Sequence, residues 1–419
     1  MATVLYLTHR LPYPPDKGDK VRTYHVMRHL AAQHRVLLGT FVDDPADLQR
    51  VPELARWCAQ VQAVPLRPWA ARARALASLA GRGPFSTAYF RDARLMDWVR
   101  GLARSGEVQA VVVSSSAMVP YAWALGVPVL VDFIDVDSVK WASYARTASP
   151  PWSWVYAREG RRLLAFERAS ALRAAQAFLV TQREVDLLCR LAPELTGRVS
   201  VLGNGVDAEV FAPDPARANP FGADEWPLVF TGTMDYRPNV KAVLWFARQV
   251  LPRLCRLHPR VRLHVVGRSP VRALRALAER SQGTVMVTGT VPDVRPYLQH
   301  AALVVAPMRT AHGVQNKILE AMAMGRTVVA ASACVHALAA DPGRDLIAAD
   351  SADDHVSAID ALLRAPEQAA ATGAAARRFV KTHCDWSTRL TELDRQLHPL
   401  LQMGETAGHR HPVTETSVA

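Results

Sequence analysis

Short apolar runs recur along the chain with helix-patterned stretches between them, and the pattern is written twice. In the first half VLYLTH, RVLLGTFV, AVVVSS, PVLVDFI and AFLVT read as strands, with helices such as VRTYHVMRHLAAQH between them. These strands are apolar throughout rather than alternating, as burial on both faces of a parallel sheet requires. At 213–227 the chain turns rich in proline and glycine (PDPARANPFGADEWP) and reads as a linker. The pattern then restarts with PLVFTGTM, VRLHVVG, TVMVTG, LVVAP and TVVAA as strands. The expectation is an α/β chain with two Rossmann-like parallel-sheet domains, 1–212 and 228–385, facing each other across a cleft. A helix over 386–402 follows, and the polar segment 403–419 reads as a disordered tail.

The chain has 419 residues, half of them hydrophobic, enough for two or three domains with large cores. Its five cysteines stand singly, with no CxxC pair. That pattern fits a reducing compartment and offers neither a disulfide framework nor a zinc site. MATVLYLTHRLPYP lacks a basic leader and reads as a buried first strand, so a cytoplasmic location is expected. The uncharged stretch Gln109–Val131 holds three serines, two prolines and a glycine, and reads as strand, short helix and strand rather than a membrane span. The formal charge is +12, which suits anionic partners. Arginines concentrate in 67–104 together with Trp69, Phe85, Tyr89, Phe90 and Trp98. Two readings of that segment stand: solvated helices with snorkelling arginines, or a patch that docks on anionic lipid. No recognition motif for nucleic acid is present, and nucleic acid is not an expected partner.

One acid is out of place. Glu320 lies in KILEAMAM, a run that is otherwise apolar after its first residue. A buried carboxylate without a partner costs several kcal/mol, so this one has a structural partner or a ligand. His312, Gly313, Val314, Gln315 and Asn316 open directly onto its helix. Gly313 lets backbone approach a ligand, the first turn offers unpaired N–H groups, and Lys317 adds a charge. Glu320, nearly one turn on, can accept both hydroxyls of a ribose. Phosphate at the helix tip and ribose at the acid together describe a nucleoside diphosphate.

GVQNKILEAMAMGRTVV, with LGNGVDAEVFAP and VFTGTMDYRPNVKAVLWF, resembles glycosyltransferase family four, of GT-B fold. The likeness runs from the PPDKG loop to about Pro399. Chains with this motif, and VDSxKW upstream, are most similar to sugar transferases of PEP-CTERM/exosortase exopolysaccharide loci. The family hallmark is Glu-x7-Glu. Glu320 matches the second acid, and His312 stands where the first would be. The resemblance implies that the second half binds a nucleotide-sugar donor and that the C-terminal helix crosses back to the first domain. Glu320 would hold the ribose, and Lys317 with the Gly313 and Val314 amides would face the diphosphate or donor sugar. Gly232 and Thr233 would lie near the phosphates, Gly267 and Arg268 beside the nucleotide, and Val291 against the base. His312 would touch donor-sugar hydroxyls. The family's basic pair after the first strand is displaced here, with Thr233 and Asn239 near those places. Lys317 is therefore the first candidate for the leaving-group cation and Arg237 the second.

The first half would bind a glycan or polyprenol-linked acceptor. Gly18 matches the family's glycine loop, and Lys17, Lys20 and Arg22 beside it are candidates to neutralise an acceptor phosphate; an ordinary solvated turn is the alternative. Asp135 closes a strand and is a candidate to orient the acceptor hydroxyl or act as base. Capping of the next helix by Asp137 or Ser138 is the competing reading. His9 ends the first strand and either faces the cleft or merely closes the strand. Asp-x-Asp at 135–137 is not read as a metal site, and neither metal nor cofactor is expected. The functional expectation is a retaining glycosyltransferase, peripheral on the inner face of the plasma membrane. The alternative is a non-catalytic donor-binding or scaffold subunit. A dinucleotide oxidoreductase is disfavoured because no GxGxxG follows the first strand.

Overall fold

A computed structural model describes residues 1–15, 18–309 and 313–408, the side chains of 19 and 403–408 excepted. Lys17 and His312 lie outside the described residues. The chain divides into two compact units, residues 1–202 with 390–419 and residues 203–389.

The first unit is built on seven strands: β1 (Thr3–Thr8), β2 (Arg35–Val42), β3 (Gln60–Pro65), β4 (Ala110–Ser114), β5 (Val129–Ile134), β6 (Gln176–Leu179) and β7 (Val199–Val201). All pair in parallel in the order β3-β2-β1-β4-β5-β6-β7. The apolar runs become strands because helices cover both sheet faces; Val4, Leu5, Tyr6 and Leu7 are wholly inaccessible. Gln109–Val131 supplies β4, a short helix and the first half of β5, as its pattern predicts. Among the described residues no helix is long and apolar enough to cross a membrane. The strand order reverses between β1 and β4, so the loops after these strands diverge and leave a crevice at their carboxyl ends.

The second unit has six parallel strands: β8 (Trp226–Thr231), β9 (Val261–Val266), β10 (Val285–Gly289), β11 (Leu303–Ala306), β12 (Val328–Ala330) and β13 (Ile347–Ala348). Their order is β10-β9-β8-β11-β12-β13, with the reversal between β8 and β11.

The domain boundary differs from the composition-based one. The first unit ends at Leu202, and the presumed linker is part of the second unit's fold. Val206 N–H donates to Cys384 O at 2.8 Å, and Asp214 N–H to Gln299 Oε1 at 2.9 Å. Phe221 packs edge-on against His264, ring centroids 4.5 Å apart. Proline and glycine here shape a tethered strap whose Phe221 is buried and whose Trp226 is half-buried. The C-terminal helix, Trp386–Gly408, begins in the second unit and belongs to the first from Leu390 onward, and it carries six residues of the expected tail.

Lys20 and Arg22 are not placed as expected. The helix opens at Gly18, earlier than its apolar pattern suggests, so both lie on its first turns. Each is 1% exposed. Lys20 Nζ meets Asp47 Oδ2 at 2.5 Å. Arg22 Nε donates to Asp132 Oδ2 at 2.7 Å, and its Nη2 donates to Asp132 Oδ1 at 2.9 Å and Leu202 O at 2.7 Å. Arg22 thus ties the helix to β5 and the unit's end, and Lys20 ties it to the segment 45–56 after β2. They correct the expectation of a phosphate-neutralising pair, because a buried cation held by a buried carboxylate has little charge left to offer.

Removing one partner of such a pair strands the other. Asp132→Ala should therefore lower stability by about 3–5 kcal/mol in urea unfolding, and Arg22→Met with Asp132→Leu should restore much of it. A single variant within about 1 kcal/mol of the natural chain would contradict the pairing.

Candidate functional site

The second unit's candidate site lies at its sheet reversal, where the loops after β8 and β11 approach each other. Gly232 follows β8 with φ 149°, a conformation open to glycine. Gly267, after β9, has the same φ, and a Cβ there would fall 1.8 Å from Gly232 O. The two strand ends thus pack backbone to backbone, with Gly232 N–H donating to Val266 O at 3.0 Å and Met234 N–H to Arg268 O at 2.8 Å.

The space over Gly232 holds two side chains. Asn239, 5% exposed, donates from Nδ2 to Thr233 O at 2.9 Å. Its Oδ1 accepts from Lys317 Nζ at 2.7 Å. Lys317 Nζ also lies 4.3 Å from the Phe230 ring centroid and 3.5 Å from Met308 Sδ. Burial pushes the Lys317 ammonium down to about 8, opposed by the charges of Cys334 and Glu320.

Lys317 and Glu320 are three apart on the helix Asn316–Ala323 and share a face, while Ile318, Leu319, Ala321, Met322 and Ala323 are buried in the core. Burial raises the Glu320 carboxyl to about 7, and nearby Lys317 opposes the rise. Among the described residues no group donates a hydrogen bond to this half-buried carboxylate, and none forms an ion pair with it. The internal partner that would make it merely structural is not found there.

The helix tip is built by a loop with Gly313 in the left-handed region, φ 62°, followed by Val314 and Gln315. Asn204, from the NGVD motif, donates to Asn316 Oδ1 at 3.3 Å. Gly232, Thr233, Gly313, Val314, Lys317 and Glu320 are thus gathered by the β8 and β11 loops. Arg237 is exposed and opens the helix Arg237–Gln249; Arg268 is half-buried after β9; Val291, after edge strand β10, packs on the core. Sequence reasoning left out Asn204, Phe230 and Met308, and gave Asn239 no role. An asparagine just after TGTMDYRP was the available signal.

In the first unit, Gly18 is exposed at the start of its helix. His9 follows β1 and packs edge-on against Phe90 at 5.6 Å. Burial raises the Asp137 carboxyl, with Lys140 and His9 opposing and Asp135 reinforcing, so His9, Asp135 and Asp137 share one neighbourhood. Capping there differs from both proposed caps. Glu167 accepts from Ser138 N–H at 3.3 Å and Ser138 Oγ at 2.6 Å, and Glu184 accepts from Val136 N–H at 2.9 Å. Ile134, just before Asp135, has φ 72°, a costly conformation for a β-branched residue. Ser115, after β4, has φ 79°. Two strained residues at the carboxyl edge are what a preorganised site shows.

Residues 227–365 match the family model of glycosyl transferases group 1. The phosphatidyl-myo-inositol mannosyltransferase of Mycobacterium tuberculosis is 29% identical over 224 residues, 50% of this chain and 57% of the relative. The chain thus spans little more than half the length of the curated relatives it matches. Among solved structures, Anabaena HepE in complex with UDP has a TM-score of 0.69 at 15% identity, covering 95% of this chain and 100% of that one. HepE is also solved with UDP-glucose. Sucrose-phosphate synthase of Thermosynechococcus elongatus has a TM-score of 0.71 at 17% identity, covering 96% of this chain and 100% of that one. At these identities the likeness is one of fold, two Rossmann-like parallel-sheet domains of GT-B type.

Because Glu320 titrates higher folded than unfolded, its neutral form favours the native state. That advantage is complete below its ordinary value of 4.5 and lost as pH rises through about 7. Lys317, at about 8, stays mostly charged up to pH 7, so the change below that pH belongs to Glu320. The stability of Glu320→Gln relative to the natural chain should rise between about pH 5 and pH 8 in urea titrations. A difference that does not change with pH would contradict a desolvated carboxylate with no partner among the described residues.

Proposed function

We propose that the chain is a retaining glycosyltransferase. It moves a sugar from a nucleotide-sugar donor to a glycan or polyprenol-linked acceptor, at the inner membrane face, in exopolysaccharide synthesis of the PEP-CTERM/exosortase kind. One observation carries the donor half of this reading. A carboxylate with no partner among the described residues and a lysine over a glycine backbone share one helix face at the sheet reversal. The match of 227–365 to group 1 transferases and the UDP bound by HepE support it.

In this reading Glu320 accepts the ribose hydroxyls, an interaction that favours its ionised form. The bond between the anomeric carbon and the β-phosphate oxygen breaks, and its electron pair stays on the diphosphate. The acceptor hydroxyl forms the new bond, and its proton passes to the departing β-phosphate oxygen. The developing charge on the diphosphate is met by Lys317 and the amides around Gly232 and Gly313. Asn239 holds Lys317 in position. Asp135 and His9 are the proposed groups for orienting the acceptor hydroxyl. Retention follows from the family resemblance and not from a residue.

Purified chain with UDP-sugars and lipid-linked or glycan acceptors should release nucleoside diphosphate. Glu320→Ala removes a charge-assisted hydrogen bond of about 1.5–3 kcal/mol and should lower kcat/KM about 10–100-fold. Lys317→Ala should act mainly on kcat, by about 100-fold. Unchanged turnover in both variants would overturn the site. Donor binding without turnover over a broad acceptor panel would favour a scaffold subunit instead, a reading that rests on His312 in the first position of Glu-x7-Glu.

A further inference from the structure

The chain has ten tryptophans, and the three that are exposed among the described residues, Trp69, Trp152 and Trp154, all lie in the helical part of the first unit. Their exposures are 72%, 56% and 71%. Leu76, in the helix of Trp69, and Tyr144, in the helix Asp137–Thr147, are exposed too. On the helix Pro68–Ala77, Trp69, Arg72, Ala73 and Leu76 fall on one side, and all are exposed, while Ala71 is the buried residue. That amphipathic pattern is reversed, with the large apolar groups facing water. On the helix Trp152–Arg173, Trp152 stacks on Tyr156, which contacts Trp141 and Tyr144 of the helix Asp137–Thr147.

These segments, distant in sequence, form one body. Arg158, one turn after Trp154, donates to Ser78 O at 3.3 Å and Gly81 O at 2.5 Å. The buried Glu159 accepts from Phe85 N–H at 2.7 Å and Ser86 N–H at 2.9 Å. Leu76 and Trp154 therefore flank one junction.

The charge of this body has one sign. No acid occurs between Glu53 and Asp92, or between Asp137 and Glu159. Glu159 and Glu167 are buried, Asp137 faces Lys140, and Asp92 is held by Arg94. Arg72, Arg82, Arg146, Arg161 and Arg162 are exposed.

We infer that this aromatic and basic face of the first unit, Trp69, Leu76, Trp152 and Trp154 with Arg72, Arg82 and Arg146, docks on an anionic bilayer surface. Tryptophan is suited to the headgroup boundary, where its ring is sheltered and its N–H stays hydrated. Arginines beside it draw the face to negative headgroups, and its acids, buried or paired with cations, oppose that little. The inference gives a location to the proposed membrane-face placement and does not depend on the donor site.

The test uses the full chain and vesicles of phosphatidylcholine alone or with roughly one third phosphatidylglycerol. At about 0.15 M salt the chain should co-sediment with the anionic vesicles at least about tenfold better than with neutral ones, and about 1 M salt should weaken the binding. Brominated acyl chains should quench its tryptophan fluorescence. Trp69→Ser with Trp152→Ser and Trp154→Ser should lose at least about tenfold in vesicle binding. That variant should keep its melting temperature and UDP binding, which separates lost docking from misfolding and from failure of the transferase reading. If it does not fold, Arg72→Gln with Arg82→Gln and Arg146→Gln is the substitute and should lose the preference for anionic vesicles. Equal or absent binding to both vesicles overturns the inference. So does a concentration-dependent dimer in sedimentation equilibrium that the serine variant abolishes, because the face would then bind a second copy.

Discussion

A methyl group at position 232 would lie 2.7 Å from Asn239 Nδ2 and 3.0 Å from Lys317 Nζ. Only a bare backbone at that point lets the asparagine and the lysine close over the strand end and bond to each other. Gly267 repeats the constraint one strand away, against the Gly232 carbonyl. The consequence runs outward from there. Asn239, anchored to Thr233 O, fixes the ammonium of Lys317, and the helix that carries Lys317 fixes Glu320 one turn deeper. A cation and an anion are thus held apart on one face rather than joined in an ion pair, with burial weakening the charged form of each. Such a separation has a cost in the free protein, and a ligand that is anionic at one end and hydroxylated at the other relieves it.

The first unit treats its charges differently. Lys20 and Arg22 are buried and spent on Asp47 and Asp132, so they lock a helix to the segment after β2 and to β5. Its candidate chemistry sits instead where the backbone is strained, at Ile134 before Asp135 and at Ser115 after β4, with His9 beside the acidic pair. The acids of its outer helices are drawn inward, Glu159 onto backbone amides and Glu167 onto Ser138, and the outer face is left to arginine and tryptophan.

Much of this was legible in the sequence. Strands buried on both faces are continuous apolar runs, so the two parallel sheets announced themselves, and Glu320 was conspicuous as the one acid in an apolar helix. Strand β3 was not legible, because QVQAVP is a half-buried edge whose order comes from pairing with β2. The fates of Lys20 and Arg22 were hidden for a related reason: Asp132 is 110 residues from Arg22, and nothing local marks a cation as already paired. Residues 213–225 look like a linker by composition, but composition does not record that Gln299 and His300 await their backbone. Trp152 and Trp154 carried no reading in the sequence, because nothing local marks which side of their helix faces out.

The most direct test of the separated pair is a crystal structure of the chain with UDP bound. The diphosphate should lie against the backbone at Gly232 and Gly313 with Lys317 Nζ on a phosphate oxygen, and Glu320 should accept the two ribose hydroxyls. UDP bound elsewhere, with the Glu320 carboxylate turned onto Lys317 as an internal ion pair, would contradict the account.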